Sequence, residues 1–182
     1  GAVWLDESKT SVFKFYQFWI NSDDEGVEDY IKVYTDLGKN TIDEIMAEHQ
    51  QDESKRIAQK RLAHEVTALV HGLDRADSVV KLSTVLFSGT GYDGLSTADF
   101  ELLAAELRTV EAQTETSMPQ ILVDTGLASS KGEARRFVHS GAVSINGTKI
   151  TEDKTSIGDE DALQGYIVLK RGKNTTALVK LK

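Results

Sequence analysis

The chain has 182 residues, of which 40% are hydrophobic and 27% charged, and a formal net charge of −8. No run of about 18 apolar residues occurs, so a helical membrane span is excluded. Cysteine is absent, which excludes disulfides and thiolate metal sites and agrees with a reducing, cytoplasmic location. The charge is uneven: residues 1–112 hold 11 Lys and Arg against 21 Asp and Glu, whereas residues 113–182 hold 10 against 8. An acidic first part and a basic second part point to two domains with different partners. The opening Gly1-Ala2-Val3-Trp4-Leu5-Asp6 carries neither methionine nor a signal peptide and reads as the inside of a longer protein.

The first part reads as helices. Phe13 to Ile20 is aromatic-rich and stops at the turn-forming cluster Asn21-Ser22-Asp23-Asp24. Thr41-Ile42-Asp43-Glu44 has the pattern of a capping box. A longer helix is expected from Ser54 to His71, with Ile57, Leu62, Val66, Leu69 and Val70 as its apolar stripe and Gly72 as a left-handed cap. Asp74 to Phe87 repeats that pattern through Val79, Val80, Leu82, Val85 and Leu86, and Ser96-Thr97-Ala98-Asp99 opens a further helix to Leu107. Polar residues 109–117 lack periodicity and read as a linker between a domain at 1–108 and another at 118–182.

The second part mixes helix and strand. Pro119 marks the start of a short helix that ends near Gly126. Ser130-Lys131-Gly132-Glu133 is another capping box, and its helix runs to Ser140 and closes at Gly141. Ala142 to Ile145 alternates in polarity, Asn146-Gly147 is a type I′ turn signal, and Thr148 to Ile150 returns. Tyr166 to Lys170 and Thr176 to Leu181 are two further strands around the turn Arg171-Gly172-Lys173-Asn174.

Most chemical signals dissolve into ordinary structure. Gly89-Thr90-Gly91-Tyr92-Asp93-Gly94 matches a dinucleotide fingerprint but follows a helix instead of a strand, so it reads as an interhelical loop. His64 and His71 are two helical turns apart, not at metal-pair spacing, and His71 suits a helix C-terminus, where the dipole favours a cation. No nucleophile-and-base arrangement occurs, so no catalytic site is assigned. One cluster stands out. Lys131, Arg135 and Arg136 follow a helix N-terminus, and Lys170, Arg171 and Lys173 lie on the second hairpin. If helix and hairpin pack together they form one cationic surface suited to phosphate. Glu133, Glu152, Asp153, Asp159, Glu160 and Asp161 are close in sequence, and on pattern alone an ordinary mixed-charge surface stays equally open.

Glu133-Ala134-Arg135-Arg136, Gly141-Ala142-Val143 and Ile145-Asn146-Gly147 resemble the RNA-binding domain named after ribosomal small-subunit protein S-four. The first part resembles the region after the catalytic domain of bacterial tyrosyl-tRNA synthetases. The matching blocks are Ala2 to Asp6, Lys14 to Asn21 with Asp23-Asp24, Ala58-Gln59-Lys60, Leu62-Ala63, Glu65-Val66-Thr67, Leu69 to Gly72 and Leu86 to Gly89. Two positions depart: Val12 replaces a usual proline, and Gly132 stands where the family can carry a cation and so thins the basic patch.

The resemblance implies an all-α anticodon-binding domain followed by a small α+β S-four-like domain. It implies binding of tRNA(Tyr), through its anticodon and through the junction of anticodon stem and variable arm. Lys131, Arg135, Arg136, Lys170, Arg171 and Lys173 would contact phosphate, and Asp23 or Asp24 would read an anticodon base, the other capping the helix near Val27. It further implies that the parent is a homodimeric ligase, that ATP and tyrosine bind a catalytic domain upstream of Gly1, and that the chain itself is a monomer with no cofactor and no membrane contact. The alternatives are a stand-alone S-four-domain RNA-binding factor and a helical adaptor that binds no RNA.

Overall fold

The computed structural model describes residues 3–173 and 175–182. Gly1 and Ala2 of the expected junction segment, and Asn174 of the expected second turn, lie outside the described residues. The chain divides into two compact units, residues 1–83 and 84–182.

The first unit is helical: α1 (Val12–Ile20), α2 (Val27–Tyr34), α3 (Lys39–Gln51), α4 (Ile57–His71) and most of α5 (Leu73–Ser88). Ser11 caps α1, its hydroxyl accepting the Lys14 N–H at 3.2 Å. Helices α1, α2 and α3 all pack on α4. Phe15, Val27, Ile31, Ile42, Leu62 and Val66 form one buried cluster. Val12, Tyr16, Ala63 and Val79 form a second.

Three local expectations change. Thr41 and Glu44 do not box the start of α3, because the helix begins earlier, at Lys39, after an extended Gly38. That start pairs Lys39 with Asp43 at 2.6 Å and leaves Ile42 facing the core. Helix α4 starts at Ile57 and not Ser54, because Glu53–Lys55 make a single 3₁₀ turn and Arg56 adopts a left-handed φ of 54°. Leu69 is 61% exposed and off the apolar stripe, which runs instead through Ala58, Leu62, Ala63 and Val66. Small alanines there allow close helix approach. Gly72 ends α4 with a positive φ of 92°, but its ψ of 154° lies outside the left-handed helical region that the sequence suggested.

The second unit is α+β. After α5 come a 3₁₀ turn (Tyr92–Gly94), α6 (Thr97–Glu106), β1 (Arg108–Ala112), α7 (Met118–Asp124), α8 (Lys131–His139), β2 (Val143–Ile145), β3 (Thr148–Lys149), β4 (Tyr166–Arg171) and β5 (Thr175–Leu181). The five strands form one sheet in the order β1-β5-β4-β2-β3, with β1 parallel to β5 and the other pairs antiparallel. Helix α6 opens at the expected Ser96-Thr97-Ala98-Asp99, and Ser96 caps it in a reciprocal box with Asp99.

The stretch 109–117, expected to be linker, begins inside β1. Arg108 through Ala112 pair with Ala177 through Leu181, so this segment belongs to the sheet. Helix α6, expected in the first domain, also belongs to the second unit, where Phe100 stacks on Tyr166 of β4 with centroids 5.4 Å apart and planes 6° from parallel. The pleat separates two faces. Ile167, Leu169, Ala177 and Val179 bury against α7 and α8 with Ile121, Leu122, Ala134 and Val138. Tyr166 points the other way, toward α6.

Candidate nucleic-acid interface

Helix α8 is set by its first turn. The Ser130 hydroxyl accepts the Glu133 N–H at 3.2 Å. The reciprocal half of the box is shifted by one residue: the Glu133 carboxylate accepts from the Ser129 N–H at 2.6 Å and the Ser129 hydroxyl at 2.7 Å. These bonds hold the Glu133 carboxyl below its usual range, and the charges of Arg136 and Arg171 act in the same direction. Ala134 and Val138 bury one face of the helix, which leaves Lys131, Arg135 and Arg136 exposed on the other.

Three of the nearby acids are engaged elsewhere. Glu152 meets His139 Nδ1 at 2.7 Å, and Lys154 holds both Glu160 at 2.9 Å and Asp161 at 2.7 Å. Among the described residues, Lys131, Arg135 and Arg136 make no ion pair.

The hairpin cations divide. Arg171, half-buried at the end of β4, donates Nη1 to the Leu127 carbonyl at 2.8 Å and lies over the Phe137 ring at 5.0 Å. It therefore joins β4 to α8 along the flank that carries Glu133 and Phe137. Lys170 is its neighbour on a pleated strand and points to the opposite face. A Cβ at Gly89 would lie 2.8 Å from its Nζ, so its amine rests over the α5–α6 loop. Lys173 is exposed in the turn after β4. The structure thus brings Arg171 against α8, the helix that carries Lys131, Arg135 and Arg136, and turns Lys170 to the other sheet face.

Lys149 escapes the sequence reading. Ser144 pairs with Lys149 on one side and with Lys170 on the other, so both lysines share a sheet face. The signal was available, because the Asn146-Gly147 turn fixes that register. The turn itself is as expected, with φ of 48° and 88°. Gly147 is tightly held, since a Cβ there would lie 2.5 Å from the Gly89 carbonyl oxygen. Residues 89–94 are an interhelical loop, as read from sequence.

In the first unit the two candidate carboxylates have different duties. Asp23 Oδ1 accepts the Gly26 N–H at 2.8 Å and so caps the entry to α2. Asp24 Oδ1 accepts from Gln59 Nε2 of α4 and lies 3.5 Å from His49 Nε2 of α3. Arg56 Nη2 donates to the carbonyls of Ile20 at 2.9 Å and Ser22 at 2.7 Å. Apolar periodicity does not detect these ties, because it passes over buried polar residues. His71 also differs from expectation. Its ring packs edge-on against Phe15 with centroids 4.9 Å apart, and burial lowers its pKa, which favours the neutral ring over a dipole-paired cation.

Comparison with known proteins follows the same two-part division. A model of the tyrosine–tRNA ligase SYY-like C-terminal domain matches residues 99–179, and a model of the class I tRNA synthetases for tryptophan and tyrosine matches residues 1–88. The chain belongs to the tyrosine–tRNA ligase family. Over its whole length it is 42% identical to the tyrosine–tRNA ligase of Anaeromyxobacter dehalogenans strain 2CP-1, of which it covers 44%. It is 40% identical to tyrosine–tRNA ligase 2 of Bacillus anthracis, of which it covers 43%. The chain therefore spans less than half the length of these family members. Among solved structures, a C-terminally truncated mitochondrial tyrosyl-tRNA synthetase from Aspergillus nidulans is 45% identical over 48% of this chain and 24% of that one, with a TM-score of 0.47.

Proposed function

We propose that this chain is the tRNA-binding part of a tyrosine–tRNA ligase. One observation carries the reading: Lys131, Arg135 and Arg136 are exposed on α8 and form no ion pair among the described residues, while Glu152, Glu160 and Asp161 bind other partners. Arginine forks and a lysine on a rigid helix suit an RNA backbone. Arg171 joins β4 to that helix, Lys173 is exposed in the turn that follows, and Lys149 and Lys170 offer phosphate contacts on the other sheet face. The acidic first unit then meets unpaired anticodon bases, where a carboxylate accepts from base N–H groups.

The whole ligase would join tyrosine to tRNA(Tyr) with ATP. Both small molecules would bind the portion of the relatives that this chain does not span, and this chain would carry no cofactor. The whole enzyme would be a cytoplasmic homodimer and this portion a monomer. Among the described residues, no helix is long and apolar enough to cross a membrane.

The test is direct binding of tRNA(Tyr) against a tRNA with a short variable arm, at low salt. Preference for tRNA(Tyr) is expected. Equal binding of both would favour a general RNA-binding factor, and no binding of either would favour a helical adaptor.

A further inference from the structure

Aromatic rings gather at the surface of the first unit where α1 and α2 meet. The Trp19 ring of α1 lies 5.3 Å from Phe18, 6.4 Å from Tyr30 and 5.0 Å from Tyr34, centroid to centroid. Tyr30 and Tyr34 are 6.3 Å apart. All four contacts are edge-on or tilted, as ring quadrupoles favour. Helix α2 gives Val27 and Ile31 to the core, so Tyr30, Val33 and Tyr34, at i, i+3 and i+4, share a flank that stays outside. Phe18, Tyr30 and Tyr34 are 38–47% exposed and Val33 is 70% exposed. Carboxylates border these rings. Asp29 is exposed one turn before Val33 on the same flank. A Cβ at Gly26 would lie 2.9 Å from Asp23 Oδ1 and 3.1 Å from Tyr30 Cε2, so carboxylate and ring flank that glycine together. Residues 21–36 hold six Asp and Glu against one lysine, and that Lys32 is itself held by Glu28 at 2.7 Å and Asp29 at 3.7 Å.

We propose that this acid-bordered aromatic face docks an arginine-rich segment of a partner protein. Charge decides the occupant. An RNA backbone would bring phosphate against an excess of carboxylate. A second copy of this chain, joined by the same face about a two-fold axis, would set like charges against each other. A guanidinium meets both halves of the surface, because it lies flat on an aromatic ring and donates in pairs to a carboxylate. Lysine fits less well, since its ammonium is compact and strongly hydrated. The face is distinct from the surroundings of Asp24, which turns to Gln59 of α4 and His49 of α3, whereas Tyr30 and Tyr34 turn to Trp19 of α1. It stands independently of the RNA-binding reading above.

The experiment titrates the chain with octa-arginine and octa-lysine peptides at about 0.1 M salt, where distant charges are screened. Octa-arginine is expected to bind about tenfold more tightly, from two exposed ring contacts of about threefold each. The double variant Tyr30→Leu with Tyr34→Leu should bring that ratio toward one and change octa-lysine affinity little. Asp29→Asn should weaken both peptides and keep the ratio. Glu48→Gln, at an exposed position of α3, should weaken them less. Because the ratio is taken within each variant, a modest loss of stability does not move it. Should the double variant fail to fold, Tyr34→Leu alone should lower the ratio by about threefold. Equal binding of the two peptides by the parent would overturn the proposal, as would a ratio that persists without the tyrosines, or equal effects of Asp29→Asn and Glu48→Gln. Two further results would name another occupant and overturn it as well. One is oligoadenylate binding that the double variant loses, which would make the face a platform for bases. The other is self-association in sedimentation that the double variant loses, which would make it a contact between copies.

Discussion

Arg171 of β4 lies over the ring of Phe137 of α8, its guanidinium carbon 5.0 Å from the ring centroid, while its Nη1 bonds the Leu127 carbonyl 2.8 Å away. One side chain thus fastens the strand to the helix and to the turn before it. The same guanidinium lowers the Glu133 pKa from across that junction. Arg171 is therefore a strut for the helix that carries Lys131, Arg135 and Arg136.

Replacing Arg171 by alanine should cost the second unit stability. The loss should be about 1–2 kcal/mol, from one hydrogen bond and one partly desolvated cation–π contact. Arg135→Ala, at an exposed helix position, should stay within about 0.5 kcal/mol of the parent. Urea unfolding of the two variants side by side checks this, and equal stabilities would remove the structural role of Arg171.

Glu133 gives the second unit a pH dependence of definite sign. Its folded pKa lies below the ordinary 4.5, so the ionised form favours the fold. That contribution is complete above the ordinary value and disappears as pH falls through the lower folded value. Glu133→Gln should therefore be less stable than the parent at about pH 6, and the two should converge toward about pH 3. Urea midpoints at those two pH values measure the difference, and a gap that stays constant with pH would contradict the assignment.

Phe100 tests whether α6 belongs to the sheet unit. It is fully buried and stacks on Tyr166. Phe100→Ala should cost about 3–5 kcal/mol and should lower the unfolding midpoint of a C-terminal reporter such as Tyr166 fluorescence. A variant that left this reporter unchanged would return α6 to the first unit.

What the sequence reveals, it reveals through local chemistry. Ser96 with Asp99, Ser130 with Glu133, and Asn146-Gly147 each state their structure within four residues, and each forms nearly as read. Strand β1 is hard to see because its alternation of Thr109 and Glu111 with Val110 and Ala112 is short and its partner β5 lies far along the chain. Counting charge groups Lys170 with Arg171, whereas the two-residue pleat separates them. The polar residues His49 and Gln59 are hidden for a different reason. A hydrophobic pattern scores them as exposed, and only the packed helices show that they are buried.

The central claim is that the exposed cations of α8 neutralise RNA phosphate. The most direct measurement is the salt dependence of tRNA(Tyr) binding for the parent, Arg135→Gln and the double variant Arg135→Gln with Arg136→Gln. The slope of log affinity against log salt should fall in magnitude by about 1 for the single change and about 2 for the double. Slopes and affinities identical across all three proteins would contradict the account.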